Sequence, residues 1–228
     1  LPGSAAEKAK LATGDVVESI DGVTTREMNI VQVNSLLAAP AGKAANLSVI
    51  RRRTAEPEPV SVMREVMKTP PVEAKVVSND IAYIHIPYLG AGKAAEARKQ
   101  LDALLKRNAS SVILDLRNTA GVSEQEGVEL ASLFVDAGTL GYLQGQKVPK
   151  KSFSPDSKAM LTKAPLIVLI NQGTAGNAEL VAGAILDGKR GQLVGTRSFG
   201  AGSIQRLIPM EDGYALLISV ADRKSTRL

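Results

Sequence analysis

Any chemistry in this chain must be done without thiols and almost without imidazole. Its 228 residues contain no cysteine and a single histidine, His85, which excludes a thiol nucleophile, a disulfide scaffold, a zinc finger and a multi-histidine metal site. Hydroxyls, carboxylates and amines remain. They gather in three stretches, Leu114-Asp115-Leu116-Arg117-Asn118-Thr119-Ala120-Gly121, Asn171 to Ala184, and Gly195 to Gln205. A hydroxyl is a weak nucleophile until a neutral base takes its proton, and Thr174 and Ser203 are the hydroxyls expected to border such a site. His85 alternates with Ile84 and Ile86, which places it on the exposed face of a strand. Lys189 and Arg190 follow a helical stretch and there meet a helix dipole and solvent.

Charge and composition narrow the partners. The chain carries 28 Lys+Arg against 23 Asp+Glu, a net +5, with basic clusters at Arg51-Arg52-Arg53 and at Lys147, Lys150 and Lys151. Only 3% of the residues are aromatic and none is interleaved with those clusters, so no nucleic-acid partner is expected. No apolar run approaches the roughly 18 residues a membrane helix needs, so no integral membrane segment is expected. The chain opens at Leu1 without a signal peptide, consistent with a start inside a longer precursor.

The elements that must position the three stretches follow from hydrophobic periodicity. In residues 1 to 55, Gly14 to Val23 reads as a strand closed by Asp21-Gly22, Ile30 to Leu37 has helical spacing, and Leu47 to Ile50 alternates as a strand. Pro57, Pro59, Pro70 and Pro71 mark residues 56–74 as a connection containing a short strand, Val60 to Met63. From 75 to 228 a strand over Asp80 to Pro87 precedes an amphipathic helix, Lys93 to Lys106. Val112 to Leu116 and Leu166 to Ile170 are β-rich runs suited to burial on both faces. With helices over Gly127 to Val135 and Ala178 to Leu186, the order implies an α/β layered domain: a central sheet with flanking helices and right-handed crossovers. Gln192 to Gly195, and the pair Ser203 to Pro209 and Tyr214 to Ala221 joined at Asp212-Gly213, are expected to complete that sheet.

Together with Pro2-Gly3-Ser4-Ala5-Ala6 and Gly14-Asp15-Val16-Val17, the three stretches resemble the carboxyl-terminal processing proteases. These are tail-specific serine peptidases with a crotonase-like core preceded by a PDZ domain, here a partial, small β-rich one. In that family the stretches read L-D-L-R-x-N-P-G-G, G-S-A-S-A-S-E and F-G-K-G-x-x-Q. The middle serine is the nucleophile, the lysine its general base, and the glutamine orients the lysine. Laid on this chain without gaps, the nucleophile falls on Gly176, the lysine on Ala201 and the glutamine on Gln205. The 25 positions from Gly176 to Ala201 match the family's spacing.

What the resemblance implies is a protease-shaped body without its two reacting side chains. Gly has no nucleophile and Ala no titratable atom, so the expected function is peptide or protein binding or scaffolding. An active serine-type endopeptidase with a non-standard nucleophile, and apolar small-ligand binding in the vacated cleft, are the alternatives. The oxyanion hole would be made by backbone amides at Gly121 and Asn177, although Ala120 stands where the family has proline and Val122 where it has a second glycine. Read alone, Gly121 is equally an ordinary left-handed turn glycine. No cofactor or metal is implied. An extracytoplasmic location (periplasm or cell envelope) is implied, and homo-oligomerisation is left open. The family's carboxylate-binding PDZ loop precedes Pro2-Gly3, so peptide capture by the first region alone is not expected.

Overall fold

The computed structural model describes residues 3–12, 14–52, 54, 56–66, 69–78, 80–121, 123–210 and 214–224. The chain divides into two compact units, Leu1–Lys68 and Thr69–Leu228. The expected hairpin turn Asp212-Gly213, and Pro2, Arg53 and Val122, lie outside the described residues.

The first unit comprises α1 (Ala5–Lys8), β1 (Val16–Ile20), β2 (Val23–Thr24), α2 (Ile30–Leu37), β3 (Ala44–Ile50) and β4 (Pro57–Met63). Its sheet has the order β2-β1-β3-β4. The proline-marked strand pairs with β3 along its whole length, from Ile50↔Pro57 to Ala44↔Met63. The prolines are tolerated because β4 is an edge strand. A core of Ile20, Ala45, Leu47, Val49 and Val60 fills the inner face. Asn29 caps α2 and Gln32 returns a bond to the Asn29 amide, a full capping box that fixes where the helix starts.

The second unit comprises β5 (Glu73–Val77), β6 (Ile81–His85), β7 (Tyr88–Leu89), α3 (Lys93–Leu105), β8 (Ser111–Asp115), β9 (Ala120–Gly121), α4 (Glu124–Ser132), β10 (Gly141–Gln144), β11 (Lys151–Phe153), β12 (Leu166–Ile170), β13 (Ala175–Gly176), α5 (Asn177–Asp187), β14 (Gln192–Gly195), β15 (Ser203–Pro209) and β16 (Ala215–Lys224). The central sheet runs β14-β12-β8-β6-β5. Its first four strands are parallel and β5 is an antiparallel edge. Sequential strands separated by α3, α4 and α5 lie side by side, as βαβ units require. Ala82, Ile84, Val112, Leu114, Leu166 and Val168 are all buried and lie in register on one face; the other face is mostly half-buried, with Ile167 exposed, so the burial on both faces expected from the unbroken apolar runs is complete on one face only.

One expectation about this sheet is corrected. Only β14 joins it; β15 and β16 form a separate antiparallel sheet, β11-β10-β16-β15. The reason lies in β10 and β11, whose short segments carry little periodicity and were not foreseen, yet offer β16 a partner at Tyr142↔Lys224 through Gln144↔Asp222. The outer part of the β15–β16 hairpin exposes Leu207, Ile208, Leu216, Leu217 and Ile218.

Two buried carboxylates brace the loops. Glu126 of α4 accepts the amides of Gly92 and Ala94, capping α3, whose own N-cap is a glycine without a side-chain bond. Asp115, at the end of β8, accepts the Tyr83 hydroxyl at 2.7 Å, the Arg117 amide at 3.0 Å and the Arg117 guanidinium at 2.5–3.1 Å. Burial pushes the Asp115 carboxyl upward, but the bonds from Arg117 and Tyr83 outweigh it and hold the group below its usual range. His85 shares this corner, with Nδ1 3.2 Å from the Asp115 carbonyl oxygen.

Because the folded carboxyl titrates below the unfolded one, its stabilisation is complete above the unfolded value near pH 4 and disappears as pH falls through the folded value. Asp115→Asn should therefore cost about 1–3 kcal/mol at neutral pH and flatten the decline in urea stability below pH 4. An unchanged acid limb in the variant would refute this role.

Candidate functional site

The three stretches singled out in the sequence converge at the C-terminal ends of the parallel strands, where open α/β sheets place their crevices. After β8 the chain turns through Asn118, a non-glycine residue at φ 57°. The Asn118 amide donates to Asn171 Oδ1 at 2.9 Å and Asn171 Nδ2 returns a bond to Asn118 Oδ1 at 3.0 Å. The Ala175 amide then donates to the Thr119 carbonyl, and β9 and β13 pair in parallel at Ala120↔Ala175 and Gly121↔Gly176. The Phe199 amide reaches the Thr174 carbonyl at 3.0 Å. These bonds stitch the third stretch to the second, and the second to the first.

Gly176 stands at the break between β13 and α5 with φ 66° and ψ −120°, a backbone region a side chain enters only under strain. A Cβ built there would lie 2.3 Å from the Gly121 carbonyl oxygen, far inside contact distance. Gly121 itself is not a left-handed glycine, being absent from the positive-φ positions. Toward the face where a side chain on 176 would begin, it turns an acceptor, whereas an oxyanion needs donors. Asn177 is completely buried, and neither its Oδ1 nor its Nδ2 has a hydrogen-bond partner.

Glu179, third residue of α5, organises the rest. Its Oε2 accepts the amides of Gly176 and Ala201, each at 2.9 Å, while Oε1 accepts the Gly200 amide and the Ser198 hydroxyl, each at 2.7 Å. Gly176 and Ala201 thus donate to one and the same oxygen. The bond to Gly176 is the return half of a capping box, readable from the position of Glu179 three residues after the helix boundary. Its reach to residues 198–201 was not readable, because it depends on where β14 delivers the chain.

Gly176 and Ala201 line a cavity of about 420 Å³ that runs along α5 between Leu180, Leu186 and Leu193, with Ser198, Arg223 and Lys224 also on its wall. The other sequence-singled residues fall elsewhere. Thr174 is fully buried; its hydroxyl donates to the Leu116 carbonyl and accepts the Asn171 amide, so it braces the loop and does not border the cavity. Ser203 and the exposed Gln205 lie on β15, on a neighbouring groove that includes Ser123, Lys151 and Phe153. Lys189 follows α5 with φ 51°. Arg190, expected to face solvent, instead donates to the Thr162 and Ala164 carbonyls in the segment that precedes β12. Ser198, Glu179 and Arg223 are the site residues sequence reasoning missed. No group of three or more potential metal ligands occurs among the described residues.

A layered parallel sheet whose crevice is built from a strand-to-helix turn and a tethered downstream loop defines a serine-peptidase type of scaffold. The model of peptidase family S41 matches residues 80–225, and a PDZ domain model matches residues 1–51. The chain belongs to peptidase family S41. It is 35% identical to a carboxyl-terminal-processing protease of Picosynechococcus sp., over 97% of this chain and 54% of that protein. It is 31% identical to carboxyl-terminal-processing peptidase 2, chloroplastic, of Arabidopsis thaliana, over 96% and 44%. Among solved structures, a photosystem II D1 C-terminal processing protease superposes with a TM-score of 0.79 at 28% identity, over 98% of this chain and 62% of that one. The chain thus spans about half the length of the curated relatives it matches. No helix among the described residues is long and apolar enough to cross a membrane.

Two expectations follow from the turn and its clamp. Gly176→Ser should lower stability by about 1–3 kcal/mol, since it places a side chain at positive φ against a backbone carbonyl, as read by chemical denaturation. Glu179→Gln, which replaces one oxygen by a donor facing backbone amides, should abolish hydrogen-exchange protection at Gly200 and Ala201 before global unfolding. Retained protection there would show that the clamp is dispensable.

Proposed function

We propose that this chain is a catalytically silent member of the carboxyl-terminal processing proteases, one that binds peptide or protein at the degenerate site and does not cut it. The observation that carries this reading is the pairing of Gly176 with Gly121. At the turn that the family resemblance assigns to the nucleophile there is no side chain, and the neighbouring loop fills the vacated space with a carbonyl oxygen. Ala201 brings a methyl group where a neutral amine would be needed. Without nucleophile or base, what remains of such a site accelerates amide hydrolysis negligibly.

A second reading is an active serine-type endopeptidase with a non-standard nucleophile. One observation favours it: Ser198 is the hydroxyl on the cavity wall and donates to a carboxylate, Glu179 Oε1, at 2.7 Å. Against it stands the state of that carboxylate, whose lone pairs also hold three backbone amides in place. Relatives named as chloroplastic, together with the family resemblance, support work outside the cytoplasm.

The two readings part in one experiment. Purified protein incubated with an unfolded polypeptide should generate no new termini and should take up no fluorophosphonate probe. Labelling that disappears in Ser198→Ala would overturn inertness in favour of the second reading.

A further inference from the structure

Beyond its junction with β10, the β15–β16 hairpin has no supporting strand. β10 pairs with β16 only from Tyr142↔Lys224 to Gln144↔Asp222, and among the described residues β15 is an edge strand. Strand pairing therefore leaves residues 205–209 and 215–219 with each other alone, from Gln205↔Ser219 to Pro209↔Ala215. A two-stranded ribbon of this kind is marginal in water unless a further layer covers an apolar face.

The two faces of the ribbon differ. Register and alternation put Arg206, Ile208, Met210, Tyr214, Leu216 and Ile218 on one face, and Leu207 and Leu217 with the polar Gln205 and Ser219 on the other. On the first face five of the six side chains are large and apolar, and all five are exposed, Tyr214 by 68% and Met210 by 50%. Arg206 is the one charge on it among the described residues. The five expose roughly 500 Å², near the upper end of the largest apolar patch on a typical monomer. Two such faces would together bury about 1,000 Å², the area at which a specific interface begins.

We propose that this face stacks on the same face of a second copy of the chain, two ribbons forming a four-stranded sandwich about a two-fold axis that lies between the layers at the level of Ile208 and Leu216. The proposal goes beyond the peptide-binding reading and does not depend on it. The occupant must be equally apolar and share the twist and length of the ribbon if side chains are to interdigitate, and a second ribbon meets both conditions by identity. The axis also deals with the charge. Running the two ribbons in opposite directions keeps the Arg206 guanidiniums at opposite ends of the sandwich and brings the tip residues Met210 and Tyr214 of one copy over Arg206 and Ile218 of the other, where a guanidinium can rest on an aromatic ring. The bodies of the two copies then lie at opposite ends and do not collide.

The test is sedimentation velocity on the chain at about 1–100 μM, the range in which an interface of minimal area associates. The boundary should move from monomer to dimer across that range. Leu216→Glu, which sets a charge near the axis in both copies, should raise the dissociation constant at least about 10-fold, whereas Leu207→Glu on the opposite face should change it by no more than about 2-fold. Circular dichroism checks that both variants fold. The chain has no cysteine, so Leu216→Cys carries its sole thiol, and a short bismaleimide should join two copies there even if the glutamate variant disturbs the ribbon. Leu207→Cys should stay unlinked.

A chain that remains monomeric at the highest concentration would overturn the proposal. So would a dimer that is indifferent to Leu216→Glu, one that Leu207→Glu weakens as strongly, or one that the bismaleimide links through residue 207 and not through 216.

Discussion

A single carboxylate holds the site together. Glu179 is anchored in α5, so whatever it grips inherits the rigidity of a helix packed through Val181, Ala182, Ala184 and Ile185 into the core. What it grips is the turn before its own helix and a loop more than twenty residues downstream. Each bond is a backbone amide or hydroxyl meeting an ionised acceptor, the stronger kind of neutral-to-charged hydrogen bond. The geometry of the crevice is thus set by the backbone and one acid, with residues 176 and 201, a glycine and an alanine, held through their amides alone.

The same separation of frame from function runs through the second unit. Asp115 fixes the exit from β8, the Asn118–Asn171 pair fixes the spacing of the first two stretches, and Glu126 closes the start of α3. All are polar groups with their bonds made, Asp115 and Glu126 buried and the asparagine pair nearer the surface, and each ties together segments distant in sequence. Hydrophobic burial supplies the driving force through the parallel strands, but these bonds choose one arrangement of the loops among many compact ones.

Much of this was legible in the sequence, and the limits have physical causes. Parallel strands announce themselves as unbroken apolar runs, so β8 and β12 were found although their second face is only partly buried, as were α2 and α3 by their 3.6-residue spacing. The start of α4 was set at Gly127, although Ser123 caps it and Glu126 follows three residues later, a pattern that marks a helix start. The two-residue strands β7, β9 and β13 carry no periodicity at all, yet they align Gly121 with Gly176. Thr174 looked like a candidate hydroxyl because sequence cannot reveal that it is buried against Leu116. Arg223 reaches the cavity through the pairing of β16 with β10, a contact between segments about eighty residues apart, and through the bond of its amide to the Gly202 carbonyl.

Glycine at the strand-to-helix turn also has a direction built into it. At φ 66° a glycine rests without penalty where serine would be strained, and the Gly121 carbonyl oxygen occupies the volume a Cβ would need. A side chain introduced here must both take on that strain and displace a packed backbone oxygen. Under the reading proposed above, the turn works as a ratchet: hydrolysis would need coordinated change in two loops, and no one-residue substitution supplies it.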